Sequence, residues 1–308
     1  MVKLRIVSLL PSATEIICAL GLQEQLVGVS HECDYPPGVE ALPKVTRTAI
    51  SKGLDSQAID QTVRQLLTTQ AALYHLDEAL LVTLQPDLIV TQALCDVCAV
   101  AAEEVNSVSC RLPGQPAVIN LEPMSLQEVF DTLALVGAAT GRKSAADTAL
   151  QMLQARVEKV RARTAGIPLR QRPRVAMLEW IDPLFNAGHW TPELVQLAGG
   201  IDCLGSPNQA SRRIDHAMLQ AADPEVLFIA LCGFALERTA QDLPLLQEIP
   251  GWQDLPCAKS RRVYYCDGNA YFSRPGPRLV DSLEILAHCL HPQVHPPAPC
   301  GERARAAN

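Results

Sequence analysis

The chain has 308 residues, 48% of them hydrophobic and 19% charged, with a formal net charge of −7. That length holds two domains of ordinary size, and the composition is that of a globular protein. A negative balance with no basic stripe argues against a nucleic-acid partner, and no apolar run approaches the ~20 residues of a membrane span, so no membrane insertion is expected.

The first strand begins almost at once. Ile6-Val-Ser-Leu-Leu10 is a continuous apolar run, of the kind buried on both faces. Pro11-Ser-Ala-Thr-Glu15 then offers a helix start, with Ser12 as N-cap and Glu15 as the capping-box acid. Gly21 stops this helix. The apolar run ends at Pro11, too short for a secretory signal, so the expected location is the cytoplasm, or the periplasm where a leader has been removed. The 11 cysteines, odd in number and irregular in spacing, fit a reducing compartment. Cys18 and Cys289 lie in apolar helical patterns and read as small core hydrophobes.

Leu26-Val-Gly-Val-Ser30 is the second strand and runs into His31-Glu-Cys-Asp-Tyr-Pro-Pro37. Residues 41–79 read as a polar loop followed by a helical stretch around Ile59–Leu76. Asp87-Leu-Ile-Val-Thr-Gln92 is the next strand, ending in Ala93-Leu-Cys-Asp-Val-Cys98. From Ser125 to about Thr164 the pattern is helical, with a break at Thr140-Gly141. Its second segment, from Lys143, would be ~33 Å long, which suits one helix bridging two lobes. The second lobe starts near Arg174 and finishes near Leu290, and the segment from His295 onward reads as a disordered tail.

The halves repeat one another. Leu81–Cys95, with Gln85-Pro-Asp87 before a buried strand, is answered by Met218–Cys232, with Asp223-Pro-Glu225. Arg5-Ile-Val-Ser is answered by Arg174-Val-Ala-Met. Two such α/β units imply two lobes, with a ligand cleft flanked by strand-end loops. The expected division is residues 1–124 for the first lobe, 125–165 for connecting helices, 166–292 for the second lobe and 293–308 for the tail.

Six loops would converge there. The first lobe supplies Ser12–Thr14, His31–Tyr35 and Gln92–Cys98, and the second Trp180–Trp190, Cys232–Arg238 and Asp267–Arg278. Aromatics are only 4% of the chain, yet Trp180, Phe185, Trp190, Phe234, Tyr271 and Phe272 all fall in second-lobe loops, which suggests a flat apolar ligand surface. The alternative is that two or three of them plug the core beneath. Cys95-Asp-Val-Cys98 is a lone Cys-x-x-Cys. With His31 and Cys33, two apart and on one side of an extended chain, it could form a soft-metal pocket, or these thiols merely line loops. Asp96 between the sulfurs opposes a redox thiolate. No hydrolytic triad, Gly-x-Gly-x-x-Gly or Walker sequence appears.

Ser8-Leu-Leu-Pro-Ser-Ala-Thr-Glu-Ile16, Leu20-Gly-Leu22, Val27-Gly-Val-Ser30, Asp34-Tyr-Pro-Pro37, Leu84-Gln-Pro-Asp-Leu-Ile-Val90 and Ser273-Arg-Pro-Gly-Pro-Arg278 together resemble the periplasmic-binding-protein family for vitamin B12 and iron–siderophore uptake. The resemblance covers about residues 4–291 and is nearest to cobalamin-binding proteins of bacterial ABC importers. It implies an α/β fold of two Rossmann-like lobes, each with a central mainly parallel sheet, joined by one long backbone helix. It implies non-enzymatic binding of a corrinoid or metal chelate, and an ABC permease as partner, although the acids that dock such proteins are not found here. Cobalamin binders hold the corrin with aromatics of both lobes. Here Thr46-Arg-Thr48 and Gln92–Cys98 stand where tryptophans are expected, while Tyr35, Trp180, Trp190, Tyr271 and Phe272 are kept.

The expected ligand-binding set is therefore His31, Glu32, Cys33, Tyr35, Gln92, Cys95, Asp96, Cys98, Trp180, Phe185, Trp190, Cys232, Phe234, Tyr271, Phe272 and Arg274. The ligand is a cobalamin-like corrinoid, with His31, Cys33, Cys95 and Cys98 as candidate ligands to its metal or to a bound metal ion. A soft-metal or thiol-handling protein using those same four residues is the alternative, and a thiol oxidoreductase using Cys95 and Cys98 the third reading.

Overall fold

The computed structural model describes residues 3–51, 53–69, 72–92, 100, 102–301 and 303–307. The chain forms two compact units, residues 1–123 with 130–150, and residues 124–129 with 151–308.

The first unit is built on β1 (Ile6–Ser8), β2 (Leu26–Val29), β5 (Leu88–Thr91) and β6 (Ala117–Asn120), in the order β2-β1-β5-β6 and parallel throughout. β1 and β5 are buried at every position, as central parallel strands must be. Helices α1 (Pro11–Ala19), α2 (Ser56–Thr68), α3 (Glu78–Leu84) and α4 (Ala102–Arg111) connect them, beside a small antiparallel pair of β3 (Thr46–Thr48) and β4 (Tyr74–Leu76). Val7, Val45, Leu81, Ile89, Val105 and Val108 fill the core on one side.

α5 (Leu126–Ala139) and α6 (Lys143–Ala165) follow, separated by the break expected at Thr140-Gly141, where Gly141 takes φ +68. Ser125 caps α5 by accepting the Glu128 N–H at 3.2 Å, and the Glu128 carboxylate accepts the Met124 N–H at 2.6 Å. α6 has 23 residues, about 34 Å of helix, and the boundary between the units falls inside it.

The second unit centres on β7 (Arg174–Trp180), with β8 (Phe185–Asn186), α7 (Thr191–Leu197), β9 (Ile201–Asp202), β10 (Arg212–Arg213), α8 (His216–Ala222) and β11 (Val226–Ile229) in chain order. Then come α9 (Leu236–Asp242), α10 (Pro256–Lys259), β12 (Val263–Cys266), α11 (Leu279–Leu290) and β13 (Ala304–Ala306). The sheet order is β10-β8-β7-β11-β12-β13, with β9 pairing β7. β7, β11, β12 and β9 are parallel, and β8, β10 and β13 are antiparallel additions at its margins. Arg156 of α6 binds both Asp281 and Glu284 of α11, the latter at 2.7 Å, fixing that helix against its neighbour.

The internal repeat is structural. Gln85 and Asp223 end α3 and α8 in the left-handed region, at φ 45 and 46. Arg5 then donates to the carbonyls of Leu84 and Gln85, and Arg174 to that of Asp223. In each unit the acid after the proline accepts the N–H of that arginine, Asp87 at 2.8 Å and Glu225 at 2.9 Å. An arginine opening the strand thus satisfies the orphan carbonyls of a helix C-terminus.

Three expectations need correction. α1 starts at Pro11 with Leu10 as N-cap and no side-chain cap, so Ser12 sits in the first turn instead. Proline at the first helical position supplies the right φ and needs no donor there. The helical reading to Leu76 overran, since α2 ends at Thr68 and Tyr74–Leu76 pairs with Thr46–Thr48. Finally, the tail expected to be disordered carries β13, which pairs with β12, and holds His295 at 2% exposure. An edge strand is defined by backbone pairing, so its side chains need no apolar periodicity.

Candidate functional site

In the first unit, β2 delivers Ser30 and His31 at its carboxyl end. The Thr46 hydroxyl, from β3, accepts the His31 backbone N–H at 3.0 Å and gives its own proton to Ser30 Oγ at 3.2 Å. His31 Nδ1 lies 2.7 Å from the same oxygen, a contact that fixes the ring. Nε2 lies 3.9 Å from Glu32 Oε1, and the ring packs against Tyr74 at 5.5 Å between centroids. Tyr74 in turn donates to Glu32 Oε1 at 3.4 Å. Tyr35 is 42% exposed on the same loop, and Gln92, just past β5, is buried.

Cys33 sits in a turn after β2. Its N–H bonds the Ser30 carbonyl at 3.1 Å, so the chain turns there and the alternation of an extended strand does not apply. The thiol points inward, 3.1 Å from Thr14 Oγ1, at 2% exposure. Cys95, Asp96 and Cys98 lie outside the described residues. Among the described residues, no group of three His, Cys, Asp or Glu side chains is arranged to hold a metal ion.

Sequence reasoning missed a polar depression of ≈ 240 Å³ lined by Lys44, Thr46, Arg47, Leu76, Asp77 and Glu78. It is smaller than pockets that enclose a drug-sized molecule. Its residues come from β3, β4 and the start of α3, elements that the sequence does not reveal as neighbours.

In the second unit, loops leave the carboxyl ends of β7, β11 and β12. The Trp180 indole N–H donates to the Asp182 carbonyl at 3.0 Å, which holds the ring 5.0 Å from that of Phe234. The Arg238 guanidinium lies 4.3 Å over the other ring centroid, that of Phe234, and donates to Asp242 Oδ1 at 2.6 Å. The result is a part-exposed row of indole, phenyl and guanidinium. Arg238 was missed, although its four-residue spacing from Phe234 at the start of a helix was a usable signal. Cys232 is exposed next to this row. Phe185 lies in β8 rather than in a loop.

Trp190, Tyr271 and Phe272 depart from the expected ligand surface. They are 5–6% exposed. The Trp190 indole donates to the Phe272 carbonyl at 2.8 Å, and the Phe272 ring packs on Phe228 of β11 at 5.3 Å. Burial pushes the Tyr271 phenol up to about 12. These three rings plug the core beneath the loops because Gly268 lets the loop after β12 lie directly on the loop after β11: a Cβ there would sit 2.1 Å from the Leu231 carbonyl oxygen. Arg274 is also buried and donates to Asn269 Oδ1 at 2.9 Å.

Parallel sheets with helical crossovers and loops at the carboxyl ends of their strands place both units in the doubly wound α/β class. The family model for periplasmic binding proteins matches residues 6–270, and the chain belongs to that family, whose members bind rather than catalyse. The chain is 22% identical over 294 residues to the uncharacterized ABC transporter substrate-binding lipoprotein YvrC of Bacillus subtilis, covering 94% of this chain and 81% of that one. It is 22% identical over 288 residues to the vitamin B12-binding protein of Vibrio cholerae, covering 91% and 86%. Among solved structures it resembles the apo periplasmic heme-binding protein RhuT of Roseiflexus sp. RS-1, with TM-score 0.71, 24% identity and coverage of 95% and 100%. It also resembles the periplasmic vitamin B12-binding protein BtuF of Vibrio cholerae, with TM-score 0.66, 22% identity and coverage of 93% and 96%.

These findings correct the expectation of a cytoplasmic protein, since the family is periplasmic and a relative is a lipoprotein. The opening residues of a sequence do not report a leader, and thiol count is a weak guide to compartment in a chain large enough to need no disulfide staples. Among the described residues, no helix is long and apolar enough to cross a membrane.

Proposed function

We propose that this protein is the substrate-binding component of an ABC importer and that its ligand is a metal-centred macrocycle, a corrinoid in the first place. The observation that carries this is His31, whose ring is held at Nδ1 by the Thr46 hydroxyl; in this reading Nε2 is the nitrogen offered to the ligand's metal. His31 stands just past the carboxyl end of β2, the edge strand of the first-unit parallel sheet, and open α/β sheets bind ligands outside the carboxyl ends of their strands. The Trp180–Phe234–Arg238 row of the second unit supplies a flat apolar and cationic surface suited to a conjugated ring bearing polar arms. Relatives named for vitamin B12 and for heme support this ligand class. An ABC permease is the partner this reading calls for.

Titration with aquocobalamin, cyanocobalamin and hemin, followed by ligand absorbance, tests the reading. Saturable binding of aquocobalamin is expected, with a spectral shift that His31→Ala removes, because the labile axial water exchanges for imidazole. Absence of binding to all three at tens of micromolar ligand would overturn it.

A further inference from the structure

We propose that Cys18 and Cys33 are a disulfide-forming pair that staples the His31–Tyr35 loop to α1. Both residues lie in the first unit, and the pairing follows from three placements. The Cys33 thiol is seated 3.1 Å from Thr14 Oγ1. Cys18 follows Thr14 by four residues on the same helix, so their Cβ atoms stack one turn apart, at about 5–6 Å. Helical side chains lean toward the N-terminus, so the Cys18 side chain covers the turn that carries Thr14, where the Cys33 sulfur lies. A disulfide needs Cβ atoms about 3.5–4.5 Å apart, so the loop must bring Cys33 to that distance from Cys18.

The electrostatics agree with this proximity. Burial, then the charges of Cys33 and Glu15, push the Cys18 thiol up to about 11. Cys33 is buried whereas Cys18 is partly exposed, so an external oxidant meets Cys18 first. The oxidant is a small-molecule or protein disulfide. Cys18 thiolate attacks one of its sulfurs, forming a mixed disulfide and expelling one thiolate. Cys33 thiolate then attacks Cys18 Sγ and expels the second thiolate. Two protein thiols are oxidised, the external disulfide is reduced to two thiols, and the two protons pass to the departing sulfurs. An oxidising compartment such as a bacterial periplasm supplies such disulfides. The bond would hold the loop of His31, Glu32 and Tyr35 in place whichever ligand binds.

The test treats the intact chain with oxidised glutathione at mildly alkaline pH, then denatures, alkylates without reductant and maps peptides by mass. A Cys18–Cys33 linked peptide is expected, absent from Cys18→Ser and from Cys33→Ser and retained in Cys110→Ser, whose thiol is exposed on α4. Hydrogen exchange at residues 31–35 is expected to slow on oxidation and recover with dithiothreitol. Full alkylation of both cysteines after oxidation, or a link from either to another cysteine, overturns the proposal. The wild-type map decides even where a serine variant fails to fold.

Discussion

Asp87 accepts the backbone N–H of Arg5 at 2.8 Å, and that one contact recurs in the other unit as Glu225 accepting from Arg174 at 2.9 Å. Each acid anchors the first residue of a central strand to the turn that precedes a neighbouring one. Asp87→Ala and Glu225→Ala are each expected to cost about 0.5–1.5 kcal/mol, with effects that add in the double variant because the sites share no partner. Urea denaturation of the four proteins checks this. Two separate transitions, each shifted only by the substitution in its own unit, would show instead that the units unfold independently.

The Trp190 indole is a second anchor. It donates to the Phe272 carbonyl across 82 residues of sequence, where Phe272 sits at φ +34. Trp190→Phe leaves that carbonyl without its indole donor inside the core, and a cost of about 1–3 kcal/mol is expected. The strained backbone at Phe272 should then relax, with faster hydrogen exchange for residues 270–275. Unchanged exchange there would mean that the loop is held by its other contacts alone.

Much of this was legible in sequence and some was not, for physical reasons. β1, β5 and β11 announce themselves because a strand buried on both faces must be apolar at every position. The arginine–proline–acid repeat is legible because it is a local turn copied twice. By contrast Thr46, which orients His31, comes from a three-residue strand whose Thr-Arg-Thr carries no burial pattern. β13 is equally short and reads Ala-Arg-Ala. The loop aromatics could be counted but not sorted, since Trp180 and Trp190 look alike in sequence. What separates them is a carbonyl partner for Trp190 that lies 82 residues away.

His295 makes stability depend on pH. Burial, then the charges of His291, Arg163 and His288, lowers its imidazole to about 4. The unfolded chain therefore binds a proton that the folded chain refuses, so stability is present above the ordinary value of 6.5 and is lost as pH falls from there toward 4. At up to 1.4 kcal/mol per pH unit, about 2 kcal/mol should disappear between pH 7 and pH 5. His291, also lowered chiefly by burial, acts in the same direction. His295→Gln should flatten the profile of urea midpoint against pH over that window. A variant with the wild-type slope would assign the acid sensitivity to other groups.

The second-unit row gives the sharpest test of the proposed ligand surface. Phe234 lies between the Trp180 ring and the Arg238 guanidinium, so Phe234→Ala removes the middle of the row. An aromatic contact of this kind is worth about 0.5–1.5 kcal/mol beyond its buried area, so corrinoid affinity is expected to fall by roughly tenfold. Trp190→Phe, which changes a ring already sealed in the core, should leave affinity within about twofold at a temperature where the variant is folded. Titration monitored by tryptophan fluorescence and by ligand absorbance separates the two. If Trp190→Phe weakens binding and Phe234→Ala does not, the ligand sits against the loop after β12, and the Trp180–Phe234–Arg238 row serves only the packing of α9 on its sheet.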